Sequence, residues 1–344
     1  MSDLSDRTAE TTQPVRHIAI CLDQSPVADR AMPQAMAMAR AFGAQLTMLH
    51  VLEPSHDVGR PSVADPLDWE LRRAEAKQYL RGMESMWRGR STGDESLPEP
   101  TRSEVLEGRP AEAILSWVAT NGVDLTVLTS HGERGQTGWP LAGTARKLVD
   151  GLPTSVLLVP ARAEPEPTER ATRYERVLVP LDGSARAESA LAIAGQVARL
   201  HGAQLTLLHV VASPPHPCPH PFDEREKELD RLLVERNLRA ATAYLDTIVR
   251  RTERDGIRVR PLVIDRRDTR NAIQHRIEID GIDLVVMSGH GHGGRAEQAV
   301  GTVAGYLVEQ ATVPLLLVRD GPPTATTPDR QTRADLRLPH ASGS

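Results

Sequence analysis

No apolar run in this chain approaches the roughly 18 residues that a bilayer-spanning helix needs, so no membrane helix is expected. The stretch 1–14 is polar and lacks the apolar centre of a secretory signal. It is read as a disordered N-terminus, and a cytoplasmic location is the expectation. Cysteine is equally scarce: Cys21 sits in an apolar run and Cys218 between prolines, unlike settings that exclude a disulfide framework. Lysine occurs only at 77, 147 and 227, the other basic residues being arginine, and no function follows from that bias. A basic stripe is missing too. The formal net charge is −5 with acids and bases interspersed, which argues against a nucleic-acid surface.

The catalytic vocabulary is also thin. There is no zinc-ligand spacing, Walker lysine, nucleophile elbow or pair of catalytic carboxylates, which speaks against an enzyme of rapid turnover. The run HPCPH at 216–220 looks like a metal cluster at first sight. Its prolines impose a polyproline-like path on which alternate residues do not share a face, so it reads as a stiff loop and no metal site is expected.

What is present is a soluble globular composition, 40% apolar and 25% charged over 344 residues, enough for two domains of roughly 150 residues. Those two domains repeat one another. HIAICLDQS at 17–25 returns as VLVPLDGS at 177–184, which sets Asp23 against Asp182. GAQLTMLHV at 43–51 returns as GAQLTLLHV at 202–210, and GVDLTVLTSHG at 122–132 as GIDLVVMSGHG at 281–291. All three pairs are offset by 159 positions, the mark of a duplicated domain.

In the second copy, five short β-rich runs fall at Val177–Val179, Leu205–Val211, Val259–Ile264, Leu284–Met287 and Leu315–Val318. Between the first two, Ser184 suits an N-cap, and Ala190, Leu191, Ala194, Val197 and Ala198 form an apolar stripe ended by Gly202. A longer helix follows, with Leu229, Leu232, Leu233, Leu238, Tyr244, Leu245 and Ile248 as its apolar positions. Strands without polar alternation are buried on both faces, and intervening helices supply the cover. The fold class is therefore α/β, two tandem doubly wound five-stranded parallel sheets, in strand order 2-1-3-4-5 or 3-2-1-4-5. Residues 15–160 form the first domain, 161–174 a linker, 175–320 the second domain and 321–344 a disordered tail. In the first copy Pro33 is expected to kink the first helix, and the Gly, Ser and Pro-rich stretch 89–100 to form a mobile loop.

In such sheets ligands bind beyond the carboxyl ends of the strands, where the strand order reverses. Asp182 ends the first strand, and SGHGHGG at 288–294 follows the fourth and leads to Gly301 and Thr302. Glycines let backbone N–H groups approach a phosphate, and a helix N-terminus adds partial positive charge. The carboxylate suits a ribose hydroxyl or a metal-bound water. The plainer reading of Asp182, Gly183 and Ser184 is a turn and helix cap.

These residues resemble the universal stress protein family, over nearly all of 15–160 and 174–320. The resemblance implies a Rossmann-like domain of the adenine nucleotide alpha hydrolase type. In the family's ATP-binding branch the loop is similar to Gly-x2-Gly-x9-Gly-Ser/Thr, and here Gly291, nine residues, Gly301 and Thr302 match while Ser288 stands for the first Gly. In the first copy Thr129 replaces the first Gly and Gly132 matches the second. There, either ten residues precede Gly143 and Thr144, or Ala142 and Gly143 take the final pair without a gap. The resemblance also implies adenine near Val210 and Val51, and places Asp182 and Asp23 near the sugar or base. His131 and His290 lie in the loops and are read as loop structure before catalysis. His50 and His209 are read as structural.

The expected cofactor is ATP, with or without Mg2+, held chiefly by the second domain of a regulatory stress-response protein. No base that would activate water for hydrolysis is identifiable. The alternatives are a nucleotide-free interaction module and, lower, an enzyme acting on an adenine-containing substrate. The last strands, Val156–Val159 and Leu315–Val318, are apolar edges expected to pair with each other as an internal pseudo-dimer, with homodimerisation as a further expectation.

Overall fold

The computed structural model describes residues 15–54, 66–88, 100–131, 141, 143–161, 172–212, 224–266, 268–290, 300–310 and 312–319. The expected N-terminal segment, the stretch 89–99, the centre of the linker, HPCPH at 216–220, the tail, Gly132 and Gly291 lie outside these residues.

Among the described residues, ten strands form one sheet. In the first repeat they are β1 (His17–Cys21), β2 (Gln45–Leu52), β3 (Thr101–Glu107), β4 (Leu125–Thr129) and β5 (Ser155–Val159). In the second they are β6 (Arg176–Pro180), β7 (Gln204–Ala212), β8 (Arg258–Arg266), β9 (Leu284–Ser288) and β10 (Leu315–Val318). The order is β3-β2-β1-β4-β5-β10-β9-β6-β7-β8. Each repeat is thus parallel in the order 3-2-1-4-5, which decides between the two orders open from sequence. The repeats meet where β5 and β10 pair antiparallel, Leu315 opposite Leu158, Leu316 opposite Leu157 and Leu317 opposite Val156. The two apolar edges expected to pair do so. Because that contact is antiparallel, the carboxyl ends of the two half-sheets point in opposite directions.

Helices cover both faces. On one lie α1 (Pro26–Asp29), α2 (Ala31–Phe42), α3 (Pro66–Arg88), α6 (Ala185–His201) and α7 (Glu224–Glu253), over a core that includes Ile18, Met36, Leu80, Val177, Val197 and Leu245. On the other lie α4 (Pro110–Thr120), α5 (Gly143–Gly151), α8 (Thr269–Ile279) and α9 (Thr302–Gln310), over Leu128, Leu148, Leu158, Leu307 and Leu317. Each core runs unbroken from one repeat into the other, α2 packing on α6 across the junction. Tyr174, ahead of β6, is 1% exposed and donates its phenolic O–H to Gln34 Oε1 of α2. Among the described residues no helix is long and apolar enough to cross a membrane.

Local chemistry explains most boundaries. Ser184 caps α6, its Oγ accepting from Ala187 N, and Gly202 ends it at φ 62°, a conformation that favours glycine. Pro33 does not kink a helix interior as expected. It stands in the first turn of α2, and the chain breaks earlier, at Arg30 between α1 and α2. A helix running through 26–42 would leave the Asp29 carbonyl without the N–H that Pro33 lacks, and the break avoids that. In the second repeat, with no proline there, α6 is one helix. The apolar reading of α7 holds for its second half only. Leu245 and Ile248 are buried, whereas Leu229, Leu232 and Leu233 are exposed. Thirty helical residues span about 45 Å, against about 30 Å for the nine residues of β7, so the sheet cannot cover the whole helix.

Candidate functional site

The site begins where β1 and β6 end. Asp23 Oδ1 accepts from Ser25 N at 3.1 Å and Ser25 Oγ at 2.6 Å, and Ser25 Oγ in turn accepts from Ala28 N at 3.0 Å. Asp182, Ser184 and Ala187 repeat this at 3.0, 2.6 and 3.1 Å. One carboxylate oxygen of each strand-end aspartate therefore holds the serine that caps the next helix. The turn-and-cap role is real in both repeats, and it also fixes the carboxylate at the crevice. The residue between differs: Gly183 has φ 82°, while Gln24 is held at φ 65°, where a side chain is strained.

Gln24 finds a partner in His50, Nε2 to Nε2 at 3.4 Å, and His50 Nδ1 lies 2.8 Å from Leu22 O. The carbonyl requires the proton on Nδ1, which leaves Nε2 as acceptor. Tyr79 meets the His50 ring edge-on at 6.2 Å and donates its O–H to Asp29. The second repeat has the same group: Tyr244 meets the ring of His209 at 6.0 Å and donates to Glu188 Oε1 at 3.2 Å. Burial holds both histidines below their ordinary pKa and so neutral. Asp29, Tyr79 and Glu188 were not singled out from sequence, and Tyr244 was read only as an apolar helix position. Asp29 and Glu188 keep the common offset, but Tyr79 and Tyr244 are 165 apart, which hid the match.

On the other side of the crevice, β4 and β9 lead into the loops. Thr129 Oγ1 donates to His131 O at 2.7 Å, and Ser130 Oγ lies 3.0 Å from His131 Nδ1. His131 thus builds the turn, as read from sequence. In the second repeat His290 N donates to Ser288 Oγ at 3.3 Å, and Gly301 N donates to Gly289 O at 2.8 Å. That last bond closes the base of the loop, so that Gly301 and Thr302 open α9 beside the end of β9. The helices that follow settle the alignment left open above. Ala145, Leu148 and Val149 are buried, as are Ala304, Leu307 and Val308, each pair 159 apart. Ala142 and Gly143 therefore take the places of Gly301 and Thr302 without a gap. The first repeat has no hydroxyl at the helix start, and Thr144 follows one residue later.

These parts enclose a cleft of about 580 Å³ in the first repeat. Its walls bring together Asp23 and Gln24 from the end of β1, His50 and Val51 from β2, Thr129 from β4, and Gly143 and Thr144 from α5. Of the first-copy residues predicted from sequence, Asp23, Val51, Gly143 and Thr144 line it. In the second repeat Asp182, Val210, Ser288, His290, Gly301 and Thr302 occupy the matching strand ends and loop base. Cys21 also faces the first cleft, and burial pushes its thiol up to about 12, so it is neutral and unreactive at neutral pH. Among the described residues no group of His, Cys, Asp and Glu is arranged to hold a metal.

A doubled α/β sheet of this kind has known counterparts. The family model described as universal stress protein family matches twice, over residues 14–160 and 173–319. The chain belongs to the universal stress protein family. A universal stress protein of Thermus aquaticus is 34% identical over 143 residues, 41% of this chain and 96% of that protein. One of Mycobacterium tuberculosis is 25% identical over 284 residues, 80% of this chain and 87% of that one, so it too extends across both repeats. Among solved structures, a universal stress protein from Archaeoglobus fulgidus superposes with a TM-score of 0.62 at 14% identity, covering 89% of this chain and 97% of that one. At that identity it bears on the fold alone, which is the tandem α/β architecture described above.

Proposed function

We propose that this universal stress protein is a regulatory adenine-nucleotide binder, with ATP held at the strand-end crevice and chiefly in the second repeat. One observation carries the reading: in the first repeat a fixed carboxylate at the end of the first strand lines one cleft with a helix N-terminus, where the strand order reverses, and the second repeat keeps both parts. A helix start offers backbone N–H groups and partial positive charge to phosphate, and Asp182 offers an acceptor to a ribose hydroxyl or to water on a phosphate-bound Mg2+. The matching crevice of the first repeat has a volume in the range of small-molecule sites. The second repeat is favoured because it alone pairs Gly301 with a hydroxyl, that of Thr302, at the helix start.

Regulation is favoured over turnover by the hydrogen bonds that occupy the histidines of the first crevice. His50 has Nδ1 on the Leu22 carbonyl and Nε2 on Gln24, and His131 Nδ1 is engaged by Ser130. The bound nucleotide would then act through the packing of α9 against its neighbours. A nucleotide-free interaction module is the second reading, favoured by Gly143 standing where the other repeat has a threonine. Denaturing the purified protein and identifying released small molecules by mass spectrometry tests both, together with calorimetric titration of ATP with and without Mg2+. Recovery of ATP, or micromolar binding, supports the first reading; no nucleotide and no heat of binding would leave the second.

A further inference from the structure

The duplication lets each wall of one cleft be compared with the same wall of the other. Around the strand ends the repeats correspond at an offset of 159, and along α3 and α7 at 165. The second offset is fixed by four buried pairs, Ala76 with Ala241, Leu80 with Leu245, Met83 with Ile248 and Trp87 with Thr252.

Among the described residues, the charged side chains lining the first cleft are Asp23, Glu53, Glu75 and Arg72. In the second repeat the place of Asp23 is kept by Asp182, but those of Glu53, Glu75 and Arg72 are taken by Ala212, Ala240 and Asn237. Two carboxylates of the first cleft thus have no counterpart. The single guanidinium, Arg72, offsets one of them: its Nη2 donates to Glu53 O at 2.9 Å, and it lies 5.6 Å from the centre of the Trp69 ring. At the start of α5 Gly143 replaces the hydroxyl residue, and His50 has its Nδ1 on a carbonyl. The first cleft therefore presents acceptors and negative charge where the second presents methyl groups and a neutral amide. A polyphosphate entering the first cleft meets like charge: at an effective dielectric near 20, a carboxylate roughly 10 Å from a phosphate weakens binding about tenfold. Groups bearing N–H donors meet acceptors instead.

Resting on the reading that these crevices take nucleotides, we propose that the two clefts hold different ligands, the second a nucleoside polyphosphate and the first a nucleoside without phosphates, its amino and hydroxyl donors facing Asp23, Glu53 and Glu75. The duplication then yields one chain that responds to two chemically distinct signals.

The test uses the full chain at low ionic strength, stripped of bound small molecules, with ATP and adenosine as probes in equilibrium dialysis. One ATP per chain is expected, and adenosine should still bind the ATP-saturated protein. Replacing Glu53 and Glu75, both exposed, by the alanines of the second repeat should admit a second ATP, with a gain of about tenfold or more in its affinity for the first cleft. Glu75→Gln, which keeps shape, should give part of that gain. Two equivalent ATP sites in the unaltered chain, no adenosine bound beside ATP, or no change on removing the carboxylates would each overturn the proposal while leaving nucleotide binding standing. Failure of both probes to bind anywhere would overturn the nucleotide reading as well.

Discussion

Arg146 of α5 reaches across the junction of the repeats to Glu309 of α9, Nη1 to Oε1 at 2.8 Å, while its Nε lies 2.8 Å from Asp150 of its own helix. Asp150 and Glu309 occupy matching positions, so one arginine joins two equivalent carboxylates. The partner arginine that exact two-fold symmetry would supply is Gly305. All three side chains are partly exposed, and exposed ion pairs contribute little. Arg146→Ala should therefore lower stability by less than about 1 kcal/mol in urea unfolding, and the loss should shrink in high salt. A loss several times larger would mean that the junction depends on this pair and not on the sheet and core that run through it.

Tyr174 is the opposite case. Its ring is wholly buried at the junction, it meets His201 edge-on at 5.2 Å, and its hydroxyl serves Gln34 of the other repeat. Tyr174→Phe strips the donor and leaves Gln34 Oε1 short of a partner, for an expected cost of about 1–2 kcal/mol. Tyr174→Ala adds a cavity and should cost about 3–5 kcal/mol. Urea unfolding followed by circular dichroism measures both, and equal small effects would contradict the packing described.

Ser184 couples stability to the site. Its Oγ caps α6 and donates to Asp182, so Ser184→Ala should cost about 1 kcal/mol through the lost cap. The same substitution frees Asp182 to reorient, and ATP affinity should fall with it. Ser184→Thr, which keeps the hydroxyl, should restore both quantities. A binding loss that threonine does not rescue would detach the aspartate from the cap.

Acid should weaken the fold through the two buried histidines. His50 and His209 are held below the ordinary value of 6.5 by burial, despite Asp23 near one and Asp182 near the other. Below about pH 6.5 the unfolded chain binds protons that the folded chain refuses, so stability falls as pH drops through that value towards the lowered ones. Asp29 and Asp283, raised by burial above 3.8, act with opposite sign in a more acidic window: their contribution is present at low pH and is lost as pH rises through their folded values. Urea midpoints taken from about pH 7.5 down to about pH 5.5 should decline, and the paired variant His50→Gln with His209→Gln should flatten that decline.

Much of this was legible in the residues because duplication prints every local rule twice. The common offset of 159 found the repeat, the runs of valine and leucine found the strands, and Ser184 and Gly202 marked the ends of α6. The strand order was not legible, since both candidate orders bury the same runs. The three leucines at the start of α7 misled because periodicity reports a stripe and not whether a sheet reaches it. Of the first cleft's lining, Asp23, Val51, Gly143 and Thr144 could be named in advance. The Tyr79 and Tyr244 partners could not, because the connections ahead of α3 and α7 differ in length and shift the register. The charges on α3 that distinguish one cleft from the other were missed for the same reason.

The β5–β10 seam carries a consequence for the history and handling of the molecule. Either half made alone would bare a strand of buried leucines and valines, and would be expected to stick to a copy of itself. A symmetric pair of identical chains obliges both pockets to change together whenever one codon changes. Fusion into a single polypeptide removes that constraint, and lets one pocket drift while its twin keeps the older chemistry.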